Sequence, residues 1–356
     1  MKFGLFLLAH SAEKAPAAAV YANLLEQARL ADRLGFAAVW LAEHHFSSYG
    51  YGPNPLLTAL KVADATEHVR VGTAVIVLPL HNPLYVAEQI AQVDQFTGGR
   101  LEVGFGSGYQ EYEFSRWGVP LSEKGERFSE ALDIVRRALT DRTLSHEGKY
   151  YHFPETTLFP EPFQKPTPPL WVAVQRPEAI AWAVRSGYQC ISGGSSAPSD
   201  RLEANWAAFR DGVNAAGMPW PQPFAIQAQV YVGETEEDAR EQLHHAIWHL
   251  RMTGPLHANT QVVEDGRILE RPQPGEPSLD ALYDRYVFFG TAERVAERLE
   301  SLLATTGVTY LNCVMAVGRL EHAKVMASME RFATQVAPRF RDRVGTAATT
   351  MPVTAG

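Results

Sequence analysis

The 356-residue chain contains two cysteines, Cys190 and Cys313, far apart and each inside an apolar stretch, with no Cys-x-x-Cys pairing. Such spacing excludes a disulfide scaffold or a thiolate-ligated metal, and two buried free thiols fit a reducing, cytoplasmic setting. No apolar run approaches the ~18 residues that a membrane helix needs. There is no cluster of lysine and arginine either: 32 basic against 40 acidic residues leave a net charge of -8. A nucleic-acid backbone would find nothing to track. Two further signatures are missing, a His-Glu-x-x-His zinc motif and a full Gly-x-Gly-x-x-Gly nucleotide turn, since Tyr109 stands where the third glycine would fall. The histidines at 244, 245 and 249 therefore read as helix surface, and no metal site is expected.

What is present is alternation. β-branched or apolar runs at residues 2–8, 37–46, 69–78, 101–105, 170–174, 189–192, 224–232 and 309–316 are each followed by a stretch of helical period. The N-terminal run resembles a weak signal peptide in composition, but its short apolar core reads better as a first strand. Eight strand and helix units over this length predict a (β/α)8 TIM barrel, with insertions after the fourth and seventh strands. We expect one domain over residues 1–340, a lid-like proline- and glycine-rich insertion at about 253–279, and a disordered tail at 341–356.

In such a barrel the chemistry sits where strands end. Here those ends carry Ala9 and His10, then Glu43, His44 and His45, then residues 78–81 and the stretch from Gly104 to Tyr109. Gln175 and Arg176, Gly193 to Ser195, and residues 316–318 complete the rim. A flat ligand could lie against main chain at a turn through Gly104, Gly106 and Gly108, although a tight internal loop would use the same glycines. An imidazole with a pKa of about 6.5 can give and take a proton at neutral pH, which favours His44 as acid/base over a histidine that only caps the strand end, with His45 either sharing that work or only hydrogen-bonding backbone. Glu43 would orient one of these rings or meet an arginine. Tyr109, Tyr112, Phe114 and Trp117 either line a pocket or pack beneath the fourth loop.

The stretches LGFAAVWLAEHHF, VRVGTAVIVLPLHNPLYVAEQIAQVDQFTGGRLEVGFGSG, FGTAERVAERL and GRLEHAKVMASMERFATQVAPRF, in this order, resemble the bacterial luciferase-like family of flavin-dependent monooxygenases. The resemblance implies a barrel that holds reduced FMN, forms a C4a-hydroperoxide with O2 and oxidises a bound small, mostly apolar organic substrate. It further implies a separate NAD(P)H-dependent flavin reductase and a homodimer built on the helices after the second and third strands. His44 matches the family's acid/base beside the flavin, with His45 as its neighbour. Thr73, Ala74, Gly104, Phe105, Gly106, Ser107 and Tyr109 match the cofactor surroundings. Gln175 and Arg176 fall where the family holds the FMN phosphate; the usual hydroxyls are absent there, so Arg176 would bind the phosphate itself. Light-emitting members carry cysteine and arginine where Gly106 and Ser107 stand, so light emission is not implied. The alternatives are a deazaflavin-dependent dehydrogenase or reductase on the same barrel and a non-catalytic flavin-binding partner subunit.

Overall fold

The structure is a computed structural model that describes residues 1–192, 199–341 and 343. Its strands are β1 (Lys2–Leu7), β2 (Ala38–Leu41), β3 (Arg70–Val77), β4 (Leu101–Gly106), β5 (Thr143–Glu147), β6 (His152–Thr157), β7 (Leu170–Val174), β8 (Gln189–Ser192), β9 (Phe224–Val232), β10 (Val263–Glu264), β11 (Arg267–Ile268), β12 (Phe288–Gly290) and β13 (Tyr310–Val314). The helices are α1 (Ala17–Leu34), α2 (Pro55–Asp64), α3 (Pro83–Phe96), α4 (Glu111–Arg116), α5 (Lys124–Asp141), α6 (Pro177–Arg185), α7 (Ser199–Ala215), α8 (Glu236–Glu241), α9 (Leu243–Ala258), α10 (Leu279–Ala281), α11 (Ala292–Thr305) and α12 (His322–Arg331). Eight parallel strands pair in the order β13, β1, β2, β3, β4, β7, β8, β9, and β9 pairs back onto β13. The expected (β/α)8 barrel is therefore closed.

Period-2 alternation decides which side chains enter the barrel. On β2, Val39 and Leu41 face the helices, while Ala38 and Trp40 face the axis. A polar plug closes the lower interior. Trp171 Nε1 donates to Glu102 at 2.8 Å, Arg70 Nε donates to the same carboxylate at 2.6 Å, and Trp40 Nε1 donates to the Tyr310 hydroxyl at 3.2 Å. Bulky indoles fit because Gly4 and Gly72 leave room: a Cβ on Gly72 would lie 2.4 Å from Trp40. The helices start where the sequence supplies caps. Asn54 and Asn82 accept backbone N–H groups ahead of Pro55 and Pro83, and Gly35 closes α1 at φ 74°.

Four details depart from the sequence expectation. Gly104 and Gly106 lie inside β4 and not in a turn; among the three glycines only Gly108, at φ 73°, has a left-handed backbone. The irregular stretch after α5 is an antiparallel hairpin of β5 and β6. β12, unforeseen, pairs with the far end of β9 beyond its barrel neighbours. Finally, the expected lid is not structureless, because α9 runs on through Ala258 and β10 and β11 form a small hairpin. Gly193 to Ser195 and most of the expected tail, residue 342 and residues 344–356, lie outside the described residues.

Candidate active site

Beyond Leu41, where β2 ends, Glu43 and His45 are buried and His44 is half-buried. Glu43 is 2 % exposed and accepts three hydrogen bonds. His45 Nε2 and His81 Nε2 reach its Oε1 at 2.9 and 2.7 Å, and the Val77 N–H reaches Oε2 at 2.9 Å. Burial alone would raise this carboxyl, but the bonds from His45 and His81 outweigh it and hold the pKa down to about 2. His81 moves the opposite way: burial opposes its charge, and Glu43 overrides that and raises it. Glu43, His45 and His81 place three donor atoms within 4.8 Å, a spacing that could hold a metal. Both imidazoles are nevertheless spent on one carboxylate oxygen, which makes the trio an internally satisfied ion cluster.

His44 has a different carboxylate, one that sequence reasoning missed. Glu113, on α4 and 2 % exposed, lies 3.0 Å from His44 Nδ1, and the same oxygen accepts the His45 backbone N–H at 2.9 Å. A carboxylate only accepts, so the proton belongs on Nδ1 and the Nε2 lone pair is left for other partners. The Gln110 carboxamide sits 2.9 Å from the same Nδ1. The readable signal was the spacing of Gln110, Glu113 and Phe114, three and four apart on one helical face directly after a strand exit.

Around His44 stand Tyr49, with ring centroids 4.7 Å apart, and Tyr109 at 6.2 Å. His257, from the last turn of α9, stacks on Tyr109 at 4.0 Å and 18°. His10 stacks on Trp248 at 4.8 Å and lies 3.1 Å from the Gly318 carbonyl. Burial lowers His10 to about 4, and burial with His10 and His44 nearby lowers His249 to about 3. Both rings are uncharged at neutral pH. Phe114 is fully buried packing, Trp117 covers His45 at 5.3 Å, and Tyr112 lies under the Arg116 guanidinium. His245 and His249, four apart on α9, do not converge on a metal: His245 accepts the Arg319 N–H at 3.3 Å, while His249 is buried.

The cofactor candidates divide. Thr73 is fully buried, and its hydroxyl donates to the Gly104 carbonyl at 2.9 Å and accepts the Gly104 N–H at 2.9 Å, so its side chain ties β3 to β4 and its one O–H is already used. Phe105 is fully buried among the core residues facing the helices, leaving only its backbone toward the mouth. The missing Cβ atoms of Gly104 and Gly106 make room for β3: they would lie 2.3 Å from the Thr73 carbonyl and 2.5 Å from Val75 Cγ2. These glycines serve the strand pairing, where the register shifts between Thr73 and Ile76. Ala74 is half-buried against the mouth cluster, and Ser107 is half-buried at the β4 exit.

Gln175 and Arg176 lead from β7 into α6, with Arg176 at the N-cap. Gln175 Oε1 accepts from Arg201 at 2.6 Å. Lys124, at the start of α5, is lowered by burial and then by the Arg176 charge, and His257 is lowered by burial and then by Lys124 and Arg201. Four cationic or protonatable side chains thus gather beside the mouth. Among the described residues, neither Lys124 nor Arg176 pairs with a carboxylate.

A closed parallel barrel with a carboxylate-held imidazole at its C-terminal rim defines an enzyme of the (β/α)8 class. The chain belongs to the luciferase-like monooxygenase family, whose model matches residues 1–310, and it is therefore a flavin-dependent oxidoreductase. It is 27 % identical over 350 residues, covering 96 % of each chain, to the oxygenase component of the flavin-dependent trigonelline monooxygenase of Acinetobacter baylyi. Among solved structures it resembles monooxygenase RslO1 of Streptomyces bottropensis, with TM-score 0.85 and 25 % identity over 96 % of this chain and 100 % of that one. The oxygenating constituent of 3,6-diketocamphane monooxygenase from Pseudomonas putida, in complex with FMN, shares the fold at TM-score 0.80 and 21 % identity, over 95 % and 98 %. An F420-dependent secondary alcohol dehydrogenase shares it at TM-score 0.72 and 19 % identity, over 96 % and 99 %.

Proposed function

We propose that this chain is the oxygenase component of a two-component FMN-dependent monooxygenase, supplied with reduced FMN by a separate NAD(P)H-dependent flavin reductase. The reading rests on one coincidence, a His44–Glu113 pair and, at the same barrel mouth, the cations Lys124 and Arg176, which have no carboxylate partner among the described residues. The cluster fits the cofactor: Lys124, Arg176 and Arg201 would take its phosphate by charge-assisted hydrogen bonds, aided by the N-terminus of α6. The flavin ring would lie near Ala74, Ser107 and Tyr109, along the inward face of β4. Reduced FMN supplies the electrons with which O2 delivers one oxygen atom to the substrate and releases the other as water.

The protein's own contribution is proton control, orientation and exclusion of water. Glu113 fixes the His44 ring and its tautomer, so that Nε2 holds or releases a proton where the reacting oxygen would sit. Glu43 anchors His45 and His81 behind it. Neutral His10, on the wall of a cavity shared with Leu8 and Ala316, would suit an uncharged, mostly apolar organic molecule. The segment 253–279 would act as a lid that keeps water from the oxidant. Residues 1–340 would form one domain, paired as a homodimer through α2 and α3, where Leu57 and Tyr85 are 66 % and 60 % exposed. Buried free Cys190 and Cys313 agree with a cytoplasmic location, and no helix of the described residues is long and apolar enough to cross a membrane.

An anaerobic quenching titration with reduced FMN, reduced riboflavin and reduced deazaflavin checks the cofactor. Tightest binding of reduced FMN is expected. Preference for the deazaflavin would move the protein to the dehydrogenase branch. A non-catalytic partner subunit would bind flavin yet lose nothing on His44→Ala.

A further inference from the structure

His10, at the exit of β1, has one ring nitrogen engaged and one idle. Its Nε2 lies 3.1 Å from the Gly318 carbonyl, and a carbonyl only accepts, so the ring proton belongs on Nε2 and Nδ1 keeps its lone pair. Among the described residues no donor meets that lone pair. Trp248 covers one face of the ring, and burial lowers its pKa to about 4, so it stays an acceptor at neutral pH. The ring forms part of the wall of a cavity of about 260 Å³ between the ends of β1 and β13 and the helices α1 and α12.

The rest of that wall sets the chemistry of an occupant. Leu8, Val20, Leu24 and Val325 make it apolar, while Gln27, on α1 and 5 % exposed, adds a second acceptor. The Glu26 carboxylate, 2.9 Å from His322 Nε2, places that ring's proton there, so His322 Nδ1 accepts from Gln27 Nε2 at 3.3 Å. The Gln27 Oε1 is left buried and without a donor. Charge at the rim is already answered, since Arg319 donates to both Glu13 and Glu270. A bare hydrocarbon would leave both acceptors unanswered in apolar surroundings. In size the cavity exceeds the roughly 150 Å³ that takes benzene, so a substituted ring fits.

We infer that the substrate is an uncharged molecule built on a substituted ring whose hydroxyl donates to His10 Nδ1, so that His10 orients it and selects a phenol or alcohol over a ketone, an ether or a hydrocarbon. This deepens the substrate-cavity reading above and rests on it. A second donor, where the substrate carries one, meets Gln27. The seat adjoins the proton-handling side of the mouth: Tyr49 faces the His44 ring at 4.7 Å and the His249 ring at 6.4 Å, and His249 follows Trp248 in the chain.

The experiment titrates the protein, with and without FMN, with para-ethylphenol and with para-ethylfluorobenzene, a ring of nearly the same shape that donates nothing. With a pKa of about 10 the phenol is uncharged at neutral pH. Wild type should bind the phenol about 2- to 12-fold more tightly, the net worth of one hydrogen bond. His10→Phe, which keeps a ring for Trp248, should lose that preference and bind the fluorobenzene as before, which also reports that it folds. In nitrogen NMR of the histidine-labelled protein, the Nδ1 signal absent from His10→Phe should move with the phenol and stay with the fluorobenzene. Equal affinities in wild type, a phenol preference that survives His10→Phe, an unmoved Nδ1 signal, or no binding of either ring would overturn the inference. A His10-dependent preference in a chain that binds no FMN would uphold it and remove the cofactor reading instead.

Discussion

Replacing Glu43 by glutamine tests whether the buried ion cluster behind the candidate site is as stabilising as its geometry implies. The Glu43 carboxyl is held at about 2 against an ordinary 4.5. At about 1.4 kcal/mol per unit this amounts to ~3 kcal/mol. Because the folded pKa is depressed, that contribution is complete above about pH 4.5 and is lost as pH falls toward 2. His81, raised by the same bond, adds its share below its ordinary 6.5 and loses it as pH rises through its folded value. The cluster is therefore at full strength between about pH 4.5 and 6.5. Glu43→Gln preserves shape but not valence: if the amide oxygen keeps the two histidines, the amide N–H2 confronts the Val77 N–H, donor to donor. At roughly 2 °C per kcal/mol for a chain of this length, thermal unfolding at pH 6 should come about 6 °C earlier in the variant. The gap should narrow as pH falls below 4.5. A variant that melts within a degree of the wild type at pH 6, with the same acid profile, would refute the reasoning.

Glu113→Gln removes the charge that holds His44. A hydrogen bond to a charged group contributes about 1.5–3 kcal/mol, so coupled oxygenation should fall about 10- to 150-fold. Titration should show reduced-FMN affinity unchanged. Arg176→Ala and Lys124→Ala should each weaken reduced FMN by about tenfold or more, the loss of one charge-assisted bond, while leaving riboflavin alone. Gly106→Ala forces a methyl to 2.5 Å from Val75 and should destabilise by about 1–3 kcal/mol in denaturant unfolding.

How far the sequence carried differs between fold and site. The barrel was legible because its strands are short apolar or β-branched runs and its main helices keep their period, with Asn caps ahead of α2 and α3, signals local enough to read in one window. β12 escaped because three residues, Phe288 to Gly290, make no period, and their pairing with β9 is made 58 residues away. Gly104 and Gly106 were misread as a turn because a glycine needed for close strand approach looks the same in sequence as one needed for positive φ. Glu43, His44 and His45 were conspicuous as a polar triplet ending an apolar run. Their partners were not: Glu113 lies 69 residues from His44 and His81 lies 38 from Glu43, separations that the side-by-side pairing of β2, β3 and β4 brings together. The same holds for Lys124 and Arg201, ordinary surface cations in sequence whose gathering beside Gln175 and Arg176 becomes visible only in space.

The most direct test of the central claim is to mix the anaerobic complex of protein and reduced FMN with oxygenated buffer and follow flavin absorbance in time. The account predicts a transient species between reduced and oxidised flavin, persisting longer than with free FMN and shortened in His44→Ala. A single re-oxidation phase at the rate of free reduced FMN, the same in wild type and variant, would contradict it.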